Sequence, residues 1–163
     1  MNQNLGTTNP IPSPDRLDAA LALLRIVVGV IFIAHGAQKL FLFGLDGVAQ
    51  GMAQAGVPLP ALTAPAVVFV ELFAGAALVA GLLTRAAAAG LGVIMLGAIF
   101  FVHLPAGFFL PDGYEFALVL LVTAATLVLT GPGAWSLDAM LARRGTRREG
   151  ESRYIRQAEG SAT

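Results

Sequence analysis

Apolar residues run along this chain in four long blocks, each close to the length needed to cross a bilayer. A helix needs roughly 20 predominantly apolar residues to span a hydrocarbon core of about 30 Å. The first block, at about 18–42, reads DAALALLRIVVGVIFIAHGAQKLFL and follows Ser13-Pro14-Asp15. Serine as N-cap with proline at the first helical position is a good helix start. The second block covers about 64–83, the third about 86–104 and the fourth about 114–131, with Pro105 and Pro132 closing the last two. The short LLTRA joint between the second and third, with Thr84 as N-cap, restricts them to an antiparallel hairpin. In the 44–62 segment Leu45, Val48, Met52 and Ala55 recur at helical spacing, while Gly47 and Gly51 weaken a helix. That spacing predicts a short helix lying at the membrane interface, with an irregular loop as the alternative. The expected architecture is an all-α, integral membrane four-helix bundle.

Composition strengthens this reading. Charged residues make up 12% of the chain, about half the share usual in soluble domains. Between Gly44 and Pro132 the only formal charges are Asp46, Glu71, Arg85, Asp112 and Glu115. A water-soluble domain could not build a polar surface from that segment, whereas a bundle dissolved in lipid has no need of one. The net charge of +0 gives no reason to expect nucleic acid as a partner. The absence of cysteine removes disulfides, thiolate chemistry and cysteine-ligated metals. No metal site is expected.

The amino terminus, MNQNLGTTNPIPSPDRLD, lacks the basic stretch and following apolar run of a cleavable signal peptide, so the first helix is expected to remain as an anchor. Placing both termini in the cytoplasm gathers Arg16, Arg85, Arg143, Arg144, Arg147, Arg148, Arg153 and Arg156 on one side and leaves Lys39 opposite. The positive-inside rule therefore predicts an N-in/C-in topology. Residues 1–17 are expected to be a polar tail, 18–138 the membrane domain, and 139–163 a basic, solvated tail without an apolar face. Weak affinity of that tail for anionic lipid is the alternative.

Some polar residues sit where lipid should exclude them. At about 1.5 Å per residue, Glu71 lies within a few Å of the membrane midplane, Arg25 roughly 7 Å to the cytoplasmic side and His35 a similar distance to the other. Lys39, His103 and Glu115 fall toward the outer interface. Lys39 can snorkel to headgroups, Glu115 stands at capping-box spacing from Asp112, and His35 and His103 can serve as ordinary hydrogen-bonding residues at helix contacts. Glu71 and Arg25 are too deep for that, since an isolated charge there costs about 2.5 kcal/mol or more. On a helical wheel Arg25, Gly29, Phe32, Gly36 and Lys39 fall within about 80° of one another. Gly75 follows Glu71 by one turn. Glycines on facing stripes allow close approach, so the first two spans are expected to pack together, with Glu71 held by Arg25, His35 or Lys39. Structural pairing and a proton or quinone site both remain open for it.

With these residues located, the chain from about Leu23 to Asp138 resembles the DoxX family of small four-helix bacterial membrane proteins. The resemblance rests on LLRIVVGVIFIAHGAQKLFLFG, AGVPLPAL, VELFAGAALVAGLLTRAAA, HLPAGFF, GYEFALVLL and GPGAWSLD, in that order and spacing. The matching positions include Arg25, His35, Gly36, Lys39, Glu71, Gly81, Thr84, Arg85, His103, Gly107, Glu115, Gly131 and Asp138. The resemblance implies a protein of the bacterial inner membrane. It further implies an accessory subunit of a quinone-linked oxidoreductase, or an organiser of membrane redox complexes. The alternatives are a non-enzymatic scaffold that stabilises a partner enzyme or forms a homo-oligomer, and a small oligomeric transporter. The cofactor expectation is limited to quinone, with the lipid bilayer and a membrane protein as partners.

Overall fold

The structure, a computed structural model, describes residues 13–145. Helix α1 spans Pro14–Gln38 and runs on through a widened π-helical turn, Lys39–Phe43. Gly44, at φ +69, then turns the chain into α2, Gly44–Gln54. A side chain would strain that left-handed backbone, and glycine does not. The 44–62 segment is thus helical over its first part, and Leu45, Val48, Ala49 and Met52 are among its half-buried positions. Helix α3 spans Pro60–Ala80 and α4 spans Thr84–Gly97. A second π-turn, Ala98–His103, and a 3-10 turn, Leu104–Ala106, extend α4. Helix α5 spans Glu115–Thr130, and residues 137–145 form a last helix, α6.

Among the described residues three helical stretches are long and apolar enough to cross a membrane, and α5 is equally apolar but only 16 residues long. At 1.5 Å per residue α5 reaches roughly 24 Å, shorter than an average hydrocarbon core. Each of the long helices α1, α3, α4 and α5 buries one stripe at a 3.6-residue period. Examples are Ala64, Val68, Glu71, Gly75 and Leu78 on α3, and Ala117, Leu120, Ala124 and Leu127 on α5. The opposite faces expose Leu23, Phe73, Val93, Val119 and Leu129. Large apolar side chains facing outward all round the bundle are what lipid as solvent permits.

The most extensive helix contact is between α1 and α3. Gly29 and Gly75 meet back to back at its centre. A Cβ on Gly29 would lie 2.6 Å from the Gly75 carbonyl oxygen, and one on Gly75 would lie 2.8 Å from that of Gly29. Gly36 faces Leu72 in the same seam. Helix α4 packs on both α3 and α5, which closes the bundle around Val28, Leu78, Leu91 and Leu127. The helices alternate in direction, so both ends of the described chain lie at one end of the bundle, here called the base. The two differences from expectation concern the tails. Helix α1 already begins at Pro14, and α6 continues regular structure to 145, past the expected tail boundary at 139. The rest of both expected tails, with Arg147, Arg148, Arg153 and Arg156, lies outside the described residues.

Candidate functional site

Glu71 lies on the buried stripe of α3, four residues before Gly75, and is 1% exposed. The glycine seam brings α1 close enough for a side chain of the next helix to reach it. That side chain is Lys39, the first residue of the π-turn, whose Nζ donates to both Glu71 carboxylate oxygens at 2.6 Å. Among the three partners open from sequence, the carboxylate is thus held by Lys39. The lysine turns inward instead of snorkelling outward, because a deeply buried carboxylate without a partner would be costly.

His35 stands one turn before Lys39 on the same helix face, its ring 6.3 Å from that of Phe116 on α5. His103 ends the second π-turn, with Nδ1 2.8 Å from the Asp112 carbonyl oxygen. A carbonyl only accepts, so this bond puts the proton on Nδ1 and leaves Nε2 of a neutral ring as an acceptor. Glu115 does not join the group. Its carboxylate accepts a hydrogen bond from the Leu110 N–H at 2.8 Å, tying down the loop before α5 in place of the expected capping box with Asp112.

Between the four long helices, in the half of the bundle remote from the base, lies a cavity of about 460 Å³. His35, Lys39, Glu71 and His103 all line it, so four of the six candidate polar residues converge on one space. The rest of its wall is almost entirely apolar, including Phe32, Met95, Phe101 and Phe116, and Met52 of α2 covers part of it. The two π-turns deliver Lys39 and His103 to this wall. Such turns inside helices are frequent at functional sites. Among the described residues no group of three or more His, Asp or Glu is placed to hold a metal ion.

Arg25 serves a different purpose at the base. Its guanidinium donates to the Leu78 and Val79 carbonyls at 3.0 Å each, and also to the Trp135 carbonyl. It thereby gives the Val79 carbonyl a donor and adds a second one to the Leu78 carbonyl, which also accepts from the Gly81 N–H at 3.1 Å. Both carbonyls lie at the C-terminal end of α3, where the helix dipole favours a cation. Gly81, at φ +68, lets the chain turn directly against this guanidinium, since a Cβ there would collide with it. Two residues that sequence reasoning did not single out as site residues complete the closure. Asp138 accepts hydrogen bonds from the Leu83 and Thr84 N–H groups at 2.8 and 3.0 Å, capping α4 from α6. Asp18 accepts one from the Ala134 N–H at 2.7 Å. Burial pushes the Asp138 carboxyl up, but these backbone bonds and the Arg25 charge outweigh it and hold it below the usual carboxylate range. The GPGAWSLD stretch was the available signal for this knot.

The fold and site define a helical membrane protein with an apolar cavity closed at one end and a charged pair in its wall. A family model for DoxX matches residues 20–104. The chain is 34% identical over 135 residues to "Uncharacterized membrane protein Rv3486" of Mycobacterium tuberculosis (strain ATCC 25618 / H37Rv), covering 76% of this chain and 82% of that one. It is 35% identical over 116 residues to "Putative oxidoreductase CatD" of Bacillus subtilis (strain 168), covering 71% and 82%. It is 36% identical over 124 residues to "Inner membrane protein YphA" of Escherichia coli (strain K12), covering 72% and 87%. No solved structure matches significantly. The chain belongs to the DoxX family.

Proposed function

We propose that this protein is an accessory subunit of a quinone-linked redox complex of the bacterial inner membrane, and that its cavity holds the quinone ring. The observation that carries the reading is the cavity itself, about 460 Å³ of apolar wall with a polar patch on one side. A quinone ring needs an apolar slot together with a few hydrogen-bonding groups that fix its carbonyl or hydroxyl oxygens, as small-molecule sites generally do. Lys39 supplies a donor, Glu71 and the His103 Nε2 supply acceptors, and His35 can do either. Phe32, Phe101 and Phe116 offer ring faces against which a planar ligand can stack. The name carried by the Bacillus subtilis relative, an oxidoreductase, agrees with this assignment. The name of the Escherichia coli relative, an inner membrane protein, agrees with the location. Arg16, Arg85, Arg143 and Arg144 all belong to the base, and the positive-inside rule then orients both termini to the cytoplasm.

Gly97 provides the test. It lines the cavity, and a Cβ added to it meets nothing within 4 Å. A Gly97→Leu variant therefore fills the site without straining the fold. Wild-type protein purified with native lipid is expected to retain quinone on solvent extraction and to bring an oxidoreductase with it. Gly97→Leu is expected to lose most of the quinone while keeping its helical content. Wild type carrying no quinone, or equal retention in the variant, would overturn the cavity assignment. A partner enzyme recovered without any quinone would favour the scaffold instead.

A further inference from the structure

The polar side chains of the cavity are unequal in what they can offer a ligand. Those lining it among the described residues are His35, Lys39, Thr63, Glu71 and His103. Glu71, as the carboxylate of its pair with Lys39, only accepts. The Thr63 hydroxyl donates to the Pro58 carbonyl at 2.8 Å and lies 3.1 Å from that of Leu59, which leaves only its lone pairs for a ligand. Nε2 of a neutral His103 only accepts, because Nδ1 holds the proton in its bond to Asp112. Lys39 already donates to both Glu71 oxygens, and His35 can act either way. Acceptors therefore predominate on this wall.

The tautomer of His103 is fixed by a loop that is itself firmly tied. Between the 3-10 turn and α5, the Tyr114 N–H donates to the Gly107 carbonyl, the Glu115 N–H to that of Phe108 and the Gly113 N–H to that of Phe109, each at 3.0 Å. The Glu115 carboxylate accepts from the Leu110 N–H at 2.8 Å. Gly113 is buried where an added Cβ would collide with the backbone of Phe108 and Phe109, so only glycine lets the chain fold this tightly. The turn leaves the Asp112 carbonyl 2.8 Å from the His103 Nδ1. A carbonyl held in place there keeps the ring in its Nδ1–H form.

A quinone and its reduced form meet such a wall differently. The oxidised ring carries carbonyl oxygens, which accept and cannot donate. One of these facing Nε2 sets two acceptors against each other and leaves both unpaired. The hydroquinone carries hydroxyl groups, each of which can donate to an acceptor on the wall and still accept from Lys39. We propose that the cavity selects the hydroquinone form of its ligand, and that His103 sets this preference by accepting a ring hydroxyl. The inference rests on the quinone reading and adds the redox state to it. Glu115 is a positioning residue, acting on His103 through the loop and the Asp112 carbonyl.

The test compares duroquinone with durohydroquinone by equilibrium dialysis under argon. Full-length protein is held in dodecylmaltoside at about pH 8, where a free imidazole is neutral. The chain has no cysteine to react with the quinone. Durohydroquinone is expected to bind about tenfold more tightly, the order of one buried hydrogen bond made in one form and missing in the other. His103→Leu is expected to bring the two affinities together. Nitrogen NMR of isotopically labelled histidine reads the tautomer directly, and with two histidines in the chain, removing either assigns the other. Wild-type His103 is expected as the Nδ1–H form, and Glu115→Ala is expected to admit the Nε2–H form and to weaken the preference. Equal affinities in the wild type, a preference that survives His103→Leu, or an Nε2–H ring in the wild type would each overturn the inference while leaving the cavity assignment standing. Binding of neither form would overturn the quinone reading and this inference with it. Should His103→Leu fail to fold, the affinity ratio and the tautomer of the wild type decide.

Discussion

Replacing Lys39 by methionine strands the Glu71 carboxylate, whose side chain is only 2% exposed. At a separation of 2.6 Å, the pair attracts with about 6 kcal/mol for an effective dielectric near 20. Dehydrating two ions offsets much of this, so the intact pair adds little net stability, but removing one partner costs about 3–5 kcal/mol. The reverse change, Glu71→Leu, is milder. Lys39 retains 24% side-chain exposure and sits at the end of α1. It can therefore extend toward the headgroups, for a cost of about 1–2 kcal/mol. The double variant K39M/E71L replaces the pair by apolar groups and should fall within about 1 kcal/mol of the wild type. A double-mutant cycle is therefore expected to yield a coupling of about 4–7 kcal/mol, with K39M the worse single variant. Reversible unfolding in mixed dodecylmaltoside and dodecyl sulfate, followed by circular dichroism at pH 7, measures all four corners. A coupling below about 1 kcal/mol, or a K39M variant no worse than E71L, would refute an ionic pair here.

Two further outcomes concern the base. Arg25→Gln leaves the Val79 carbonyl short of a donor, takes the second donor from the Leu78 carbonyl and frees the Trp135 loop, for a loss of about 3 kcal/mol. Trp135 emission should shift at the same time; normal stability with unchanged emission would contradict the capping role. Asp138→Ala removes the cap on α4 and should cost about 1 kcal/mol at neutral pH. The Asp138 carboxyl titrates lower in the folded chain than in the unfolded one, so its contribution is complete above about pH 4 and lost as pH falls through the folded value. The difference in stability between wild type and Asp138→Ala should therefore stay constant down to about pH 4 and close below it.

The long helices were legible because their apolar runs match bilayer thickness and carry clear end signals, as at Ser13-Pro14 and Pro132. The short α2 was half legible, since its spacing argued for a helix and its glycines against one. The π-turns left no trace, because KLFLF and AIFFVH have the composition of ordinary helix, and the wider turn arises only in the packed fold. That Glu71 faces the bundle interior was readable from sequence alone, but its partner was not. Lys39, His35 and Arg25 share one side of α1, and only the packing of α1 on α3 decides which side chain reaches the carboxylate. Arg25 was misleading for another reason. Its partners are backbone carbonyls, which have no signature in sequence, so a search for a carboxylate partner looked in the wrong place. Helix α6 was hidden by the density of charge around it, and its ordering depends on Asp138 and Ser136, which bond across to other elements.

The Arg25 knot and the packed layer of Leu78, Leu91 and Leu127 close the bundle below the cavity. This closure gives the molecule sidedness. Whatever enters the cavity must arrive from the face opposite the base, or sideways from the leaflet on that face, and must leave by the same route. Occupancy is then governed by one compartment and one leaflet, whatever the concentration of the same compound across the membrane. In sealed vesicles that hold the chain in a single orientation, a ligand supplied on one side would fill the site, while the same amount supplied on the other would do so only after crossing the bilayer by itself.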